Sequence, residues 1–295
     1  MQNTFHWTET FRSIAGLRGD LFHGEDRSDN PLNSGSVTQF MQSPKLSLVL
    51  GPFAKTEYYL NAGMGFHSND VRGATITVDP TDGVTAVAKV PLLVRSKGAE
   101  IGVRTQAIPA LQSSIALFVL NFDSELVFLG DAGTTEASRP SQRIGVEFAD
   151  VYRPLPWLAF DLDAGYTRAR FTSPDPAGNH IPGAVEGVLD SGVAIDNLGR
   201  WFGELRLRYF GPRPLIEDNS ERSRATTLLS ARIGYKLTET FRIRVDGFNL
   251  LNAKASQIDY FYVSRLRGEP AEGVGDIHFH PVEPVSFRVT LSAAF

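Results

Sequence analysis

Phe287-Arg-Val-Thr-Leu-Ser-Ala-Ala-Phe295 closes the chain and alternates in polarity to its last residue. Phe287, Val289, Leu291, Ala293 and Phe295 are apolar; Arg288, Thr290 and Ser292 are polar, and Ala294 is neutral. Successive side chains of a strand point to opposite faces, so the segment is predicted as a strand with one greasy and one wet face. A soluble sheet would turn the greasy face to a protein core. Alternation that runs on to a terminal aromatic fits instead the closing strand of an outer-membrane β-barrel. On that reading Phe287, Val289, Leu291 and Phe295 form the signal met by the barrel-assembly machinery.

The same pattern recurs upstream. Leu158, Phe160, Leu162, Ala164 and Tyr166 alternate with Asp161, Asp163 and Thr167, and Leu205, Leu207 and Tyr209 with Glu204, Arg206 and Arg208. Further stretches place Glu100, Arg104, Glu147, Arg232, Arg242 and Arg244 between apolar neighbours. With Arg288, these charges are predicted to face a polar lumen, because ionised groups at every second position are costly in a packed core. They are expected to group by sign, acids on two neighbouring strands and arginines later. Short turns at 51–55, 108–111, 153–157, 197–200 and 236–240 separate long polar stretches near 23–35, 68–92, 130–141, 172–187, 211–226 and 254–284. Short and long connections in turn describe an up-and-down barrel with periplasmic turns and extracellular loops. About twelve strands are expected, the first over 11–22 and the last running toward the periplasm. Trp157, Trp201, Tyr209, Phe210, Tyr235 and Phe241 lie near strand ends, where aromatic girdles form.

Composition narrows the function. The chain has 295 residues, 42% hydrophobic, with net charge -4 and no cysteine. No stretch approaches the roughly 20 apolar residues of a membrane helix. The charge gives no nucleic-acid footprint. Without cysteine there are no disulfides and no thiolate chemistry. Neither a Ser-His-acid set nor a glycine-rich phosphate loop can be placed, so no enzyme is expected, and no cofactor. The first twenty residues carry Trp7, Glu9, Arg12 and Arg18 and lack the apolar core of a signal peptide.

Several stretches resemble the C-terminal half of TonB-dependent outer-membrane receptors: Lys97-Gly-Ala-Glu-Ile-Gly-Val-Arg104, Gly211-Pro-Arg-Pro-Leu215 with Ser223–Tyr235, Asp246-Gly-Phe-Asn-Leu-Leu-Asn252, and Pro284-Val-Ser-Phe-Arg-Val-Thr-Leu291. The resemblance implies an all-β, antiparallel transmembrane barrel over 1–295, partial against the family's plugged barrel of about 22 strands. No plug domain, TonB box or signal peptide is recognised. It implies a place in the Gram-negative outer membrane, contact with lipid, and TonB-energised uptake of a scarce nutrient. A ferric siderophore is the first expectation, with TonB acting only through a missing N-terminal part. A passive twelve-stranded porin, a non-functional truncated fragment and a soluble β-sandwich remain as alternatives.

Three loop clusters are candidate ligand contacts. His67, Asn69, Asp70 and Arg72 open the first long loop, although such residues also favour turns on their own account. Tyr260 and Tyr262 beside Arg265 offer rings for a catecholate or sugar. His278 and His280 share a strand face with Asp276, but this falls short of a full ligand set, and no metal is assigned. The lumen arginines are expected to face a plug in a whole receptor, or to favour anions in an open pore.

Overall fold

The computed structural model describes residues 1–124, 126–129, 134–137 and 139–294. Phe295, one of the four residues of the expected assembly signal, lies outside them. Seventeen strands follow one another: β1 Gln2–Thr8, β2 Phe11–Asp26, β3 Gly35–Phe53, β4 Thr56–Ser68, β5 Leu93–Thr105, β6 Leu111–Phe122, β7 Leu126–Leu129, β8 Thr134–Ala137, β9 Ser141–Leu155, β10 Leu158–Phe171, β11 Gly187–Leu198, β12 Trp201–Phe210, β13 Thr226–Lys236, β14 Phe241–Phe248, β15 Ser256–Ser264, β16 Val274–Pro281 and β17 Ser286–Ala293. A five-residue helix, α1 (Val71–Thr75), interrupts them, where the sequence suggested no helix.

Thirteen strands form one antiparallel sheet in chain order, from β1 to β6, then β9 to β14, then β17. About twelve strands were expected, and β1, a strand ahead of the expected first one, which is β2, makes thirteen. The pairs β7–β8 and β15–β16 are separate hairpins inside two long connections. Among the described residues β1 and β17 do not pair, so the sheet is an open arc with two edges.

Register carries the alternation across the arc. Leu48, Leu60, Ile101, Leu117, Val146 and Tyr166 stand opposite one another on six successive strands. Among the described residues no second layer covers this row: Ile101 is 59% exposed and Leu117 57%. A soluble sandwich is thereby excluded, since it would bury such a face against a second sheet. Large apolar side chains in a continuous uncovered band match the lipid contact of a barrel wall.

Connections at one end are tight. Ala54 and Lys55 both take positive φ in the β3–β4 turn, the mirror-image turn that suits the twist of paired strands. Trp201 packs edge-on to Tyr235 at that end, with ring centroids 4.8 Å apart. All long connections lie at the other end. β3 has 19 residues against the roughly 9–11 needed to span lipid, so the β2–β3 hairpin extends past the membrane at the long-loop end. The compact apolar clusters form there: Met41, Ala74, Leu92 and Leu93 under α1, and Ala169, Phe171 and Ile181 under the connection after β10.

Candidate functional site

The face opposite the apolar band carries the charges. Arg206 on β12 touches three carboxylates: Nε donates to Glu204 at 2.7 Å, Nη2 to Asp161 at 3.1 Å, and Nη1 to Asp190. Arg208 reaches Asp190 at 2.8 Å. Farther along, Arg232 donates to Asp246 at 2.6 Å, and Arg244 lies 3.1 Å from the same carboxylate. Arg288 stands opposite Asp246 in register and holds its guanidinium over the Phe248 ring. Near the short turns Glu57 bridges Arg12 and Arg104. Asn61 donates to Glu100.

Glu147, Asp161 and Asp163 lie on the neighbouring strands β9 and β10 and the later arginines on β12 to β17, and the two signs meet where Arg206 pairs with acids of β10, β11 and its own strand. Asp190, Asp246 and Glu57 escaped the sequence reading. On β11 the alternation fades, because Val188, Asp190, Gly192 and Ala194 make a weakly polar face beside Leu189, Val193 and Ile195. Asp163, Glu147 and Arg242 share the polar face at register positions opposite Asp190, Gly165 and Lys236.

At the long-loop end the connections form two blocks. In the first, Asn33 clamps the 69–92 loop: its Oδ1 accepts from the Thr77 and Val78 N–H groups, and its Nδ2 donates to Val78 O. Gln39 exchanges bonds with the Leu93 backbone. Of the four candidates here, Asn69 is buried and donates to Pro91 O, and His67 lies 5.6 Å from the Phe122 ring. Asp70 caps α1 by accepting from Arg72 N–H and pairs with the Arg72 side chain. The hydrogen bond from Arg72 holds the Asp70 carboxyl below the usual carboxylate range.

The second block joins the connections 172–186 and 211–225 to the β15–β16 hairpin. Arg213 and Asp259 pair at 2.8 Å with both side chains nearly buried. Arg222 and Arg170 converge on Glu186. On the hairpin, Tyr260, Tyr262, His278 and Asp276 share a face, and the Tyr262 and His278 rings stack at 3.8 Å. His280 stands opposite Ile258, and Arg265 lies in the turn that joins β15 to β16, donating to Glu269 O. Among the described residues no three His, Cys, Asp or Glu side chains gather as a metal site.

Comparison with known proteins gives this architecture its family. The family model described as TonB dependent receptor-like, beta-barrel matches residues 1–250, and the chain belongs to that family. Such barrels lie in the outer membrane of Gram-negative bacteria, which places the short turns at the periplasm and the long loops outside. Three solved structures share the fold. The ferric yersiniabactin uptake receptor FyuA from Yersinia pestis is 19% identical with TM-score 0.72, over 100% of this chain and 45% of that one. The copper transporter OprC is 16% identical, TM-score 0.71, covering 100% and 46%. The ferric-catecholate import receptor Fiu from E. coli K12 is 17% identical, TM-score 0.69, covering 99% and 43%. The chain thus spans less than half the length of these receptors. No curated protein matches the sequence.

Proposed function

We propose that residues 1–295 form the C-terminal barrel wall and extracellular mouth of a receptor for TonB-energised uptake of a scarce nutrient, a ferric siderophore foremost. One observation carries the reading: the long connections lie at one end of a lipid-facing sheet, and among the described residues 69–92, 172–186, 211–225 and the β15–β16 hairpin are built into packed loop blocks instead of open coils. A pore needs no such construction, whereas a receptor must hold a ligand before transport. FyuA is a ferric yersiniabactin uptake receptor and Fiu a ferric-catecholate import receptor, which favours iron complexes; the copper transporter OprC keeps copper open. In this reading the loops carrying Tyr260, Tyr262, Arg265, His278 and His280, and those carrying His67, Asn69, Asp70 and Arg72, meet the ligand. TonB acts through residues outside 1–295. Lipid and the barrel-assembly machinery are further partners, and no nucleic acid is one.

A passive porin of about twelve strands is the competing reading. With thirteen antiparallel strands, β1 and β17 point the same way, so self-closure would need a parallel seam. The test joins the reading frame upstream of the Met1 codon with the mass of the mature protein and growth on ferric siderophores under iron limitation. A signal peptide, plug and further strands in frame, with growth lost on deletion, are expected. A closed frame with no growth effect would sink the receptor reading and leave a non-functional fragment. Stable conductance steps from the purified chain in a planar bilayer would instead favour the porin.

A further inference from the structure

Arg139, just ahead of β9, is the side chain on which the second loop block converges. Its Nη1 donates to Ser173 O at 3.1 Å and its Nη2 to Gly178 O at 3.0 Å. Nη2 also donates to the Glu217 carboxylate, and Asp175 lies 3.9 Å from Nη1. The guanidinium covers the Phe171 ring at 4.4 Å from its centroid. One side chain therefore holds the end of β10, the connection 172–186 and the connection 211–225. Only a planar fork with several donors can do this, because the acceptors lie on two separate segments and the ring fills the remaining face.

The two connections are also fitted backbone to backbone. His180 N–H donates to Glu217 O at 2.9 Å, and Gly183 N–H to Pro214 O at 2.8 Å. Gly178 takes φ +116°, and a Cβ there would stand 2.2 Å from Glu217 O. Such an approach admits glycine alone. Beyond this seam Arg213 reaches Asp259 and ties 211–225 to β15. The linkage runs in one line: β9 and β10, then 172–186, then 211–225, then the β15–β16 hairpin.

We propose that Arg139 is a positioning residue that makes 172–186 and 211–225 open and close as one jaw, with Arg213 extending the coupling to the hairpin. That the jaw faces a ligand rests on the uptake reading above; the coupling itself does not. Truncating Arg139 leaves the Ser173 and Gly178 carbonyls and the Glu217 carboxylate without their donor, so both connections lose their hold together.

The test is backbone amide exchange of the full chain in detergent micelles at neutral pH, with no ligand present. Arg139→Ala is expected to speed exchange roughly tenfold in 172–186 and in 211–225 alike, leaving 69–92 unchanged. Arg139→Lys keeps the charge but not the fork, and is expected to recover only part of the protection. Glu217→Gln should speed exchange in the same two stretches. In the double variant the two effects should fall well short of their sum. Acceleration of one connection alone, full recovery by lysine, or additive effects would each overturn the proposal. Retained heat-modifiable migration on gels shows which variants still fold. Should Arg139→Ala not fold, Glu217→Gln and Phe171→Leu decide by the same two-stretch criterion. Because no ligand enters, loss of the uptake reading leaves this outcome unaffected, and the reverse also holds.

Discussion

Gly192 shows how one missing side chain organises a charged network. It stands between Asp161 on β10 and Arg206 on β12 in the ladder. A Cβ at Gly192 would meet Asp161 Oδ1 at 2.7 Å and Arg206 Nη2 at 2.8 Å. The gap lets Arg206 reach across a whole strand. Pairing of this kind neutralises the wall from within, so the arginines of β12 are not free charges awaiting an anion. At the mouth, His180 is set against acid. Its Nδ1 lies 3.2 Å from Glu217 O, and Arg170, Arg222 and Glu186 surround it. Burial, then the Arg170 charge, lowers its pKa below the ordinary 6.5. A depressed folded pKa means that protonation favours the open loop. Stability is therefore full above about 6.5 and declines as pH falls toward the folded value. Amide exchange in 211–225, corrected for intrinsic rate, should accelerate between neutral and mildly acidic buffer. His180→Gln should flatten that dependence; an unchanged profile in the variant would show that another group titrates.

A single strand is the unit on which the membrane acts. Phe287, Val289 and Leu291 on β17 are each about two-thirds exposed, while Thr290 stands opposite Arg244 on the polar face. Val289→Arg should cost about 2–4 kcal/mol at the bilayer midplane, and Thr290→Arg far less. Reversible unfolding in lipid vesicles measures both, and equal costs would refute the facing assigned to β17. This two-sidedness was legible in the sequence because a period of two needs only neighbouring residues. The alternation of turn and loop lengths was legible for the same reason. β1 was not, since Asn3 sits on the apolar side and an irregularity between His6 and Thr8 breaks the period. Nor was α1, whose five residues are too short for helical periodicity; Asp70 at its cap was visible as a ligand candidate and a turn former, not as a helix cap. The partners of Arg139, Arg213 and Arg222 were least accessible. Each pair joins segments 36 to 78 residues apart, and no pattern within a segment says which loop it will meet.

At the scale of the molecule, the odd number of strands decides how the arc can be completed. Both edges run toward the periplasm, so antiparallel closure needs an odd number of further strands. A barrel of about 22 strands less these thirteen leaves about nine, which satisfies that condition. Cysteines replacing Thr4 and Thr290, both on the polar faces of the edge strands, should therefore give no disulfide within one chain in its native membrane. An efficient intrachain bond would establish a thirteen-strand closed barrel and restore the pore as the leading function. The two loop blocks carry a different consequence. Each is fastened by its own amide clasp or arginine fork, while the wall beneath is fastened by its backbone ladder. Mouth and wall are thus separately inheritable parts. A graft that carries Arg139 and the connections through Glu283 as one cassette brings its internal fastenings with it. One that exchanges a single loop leaves half of every bond behind.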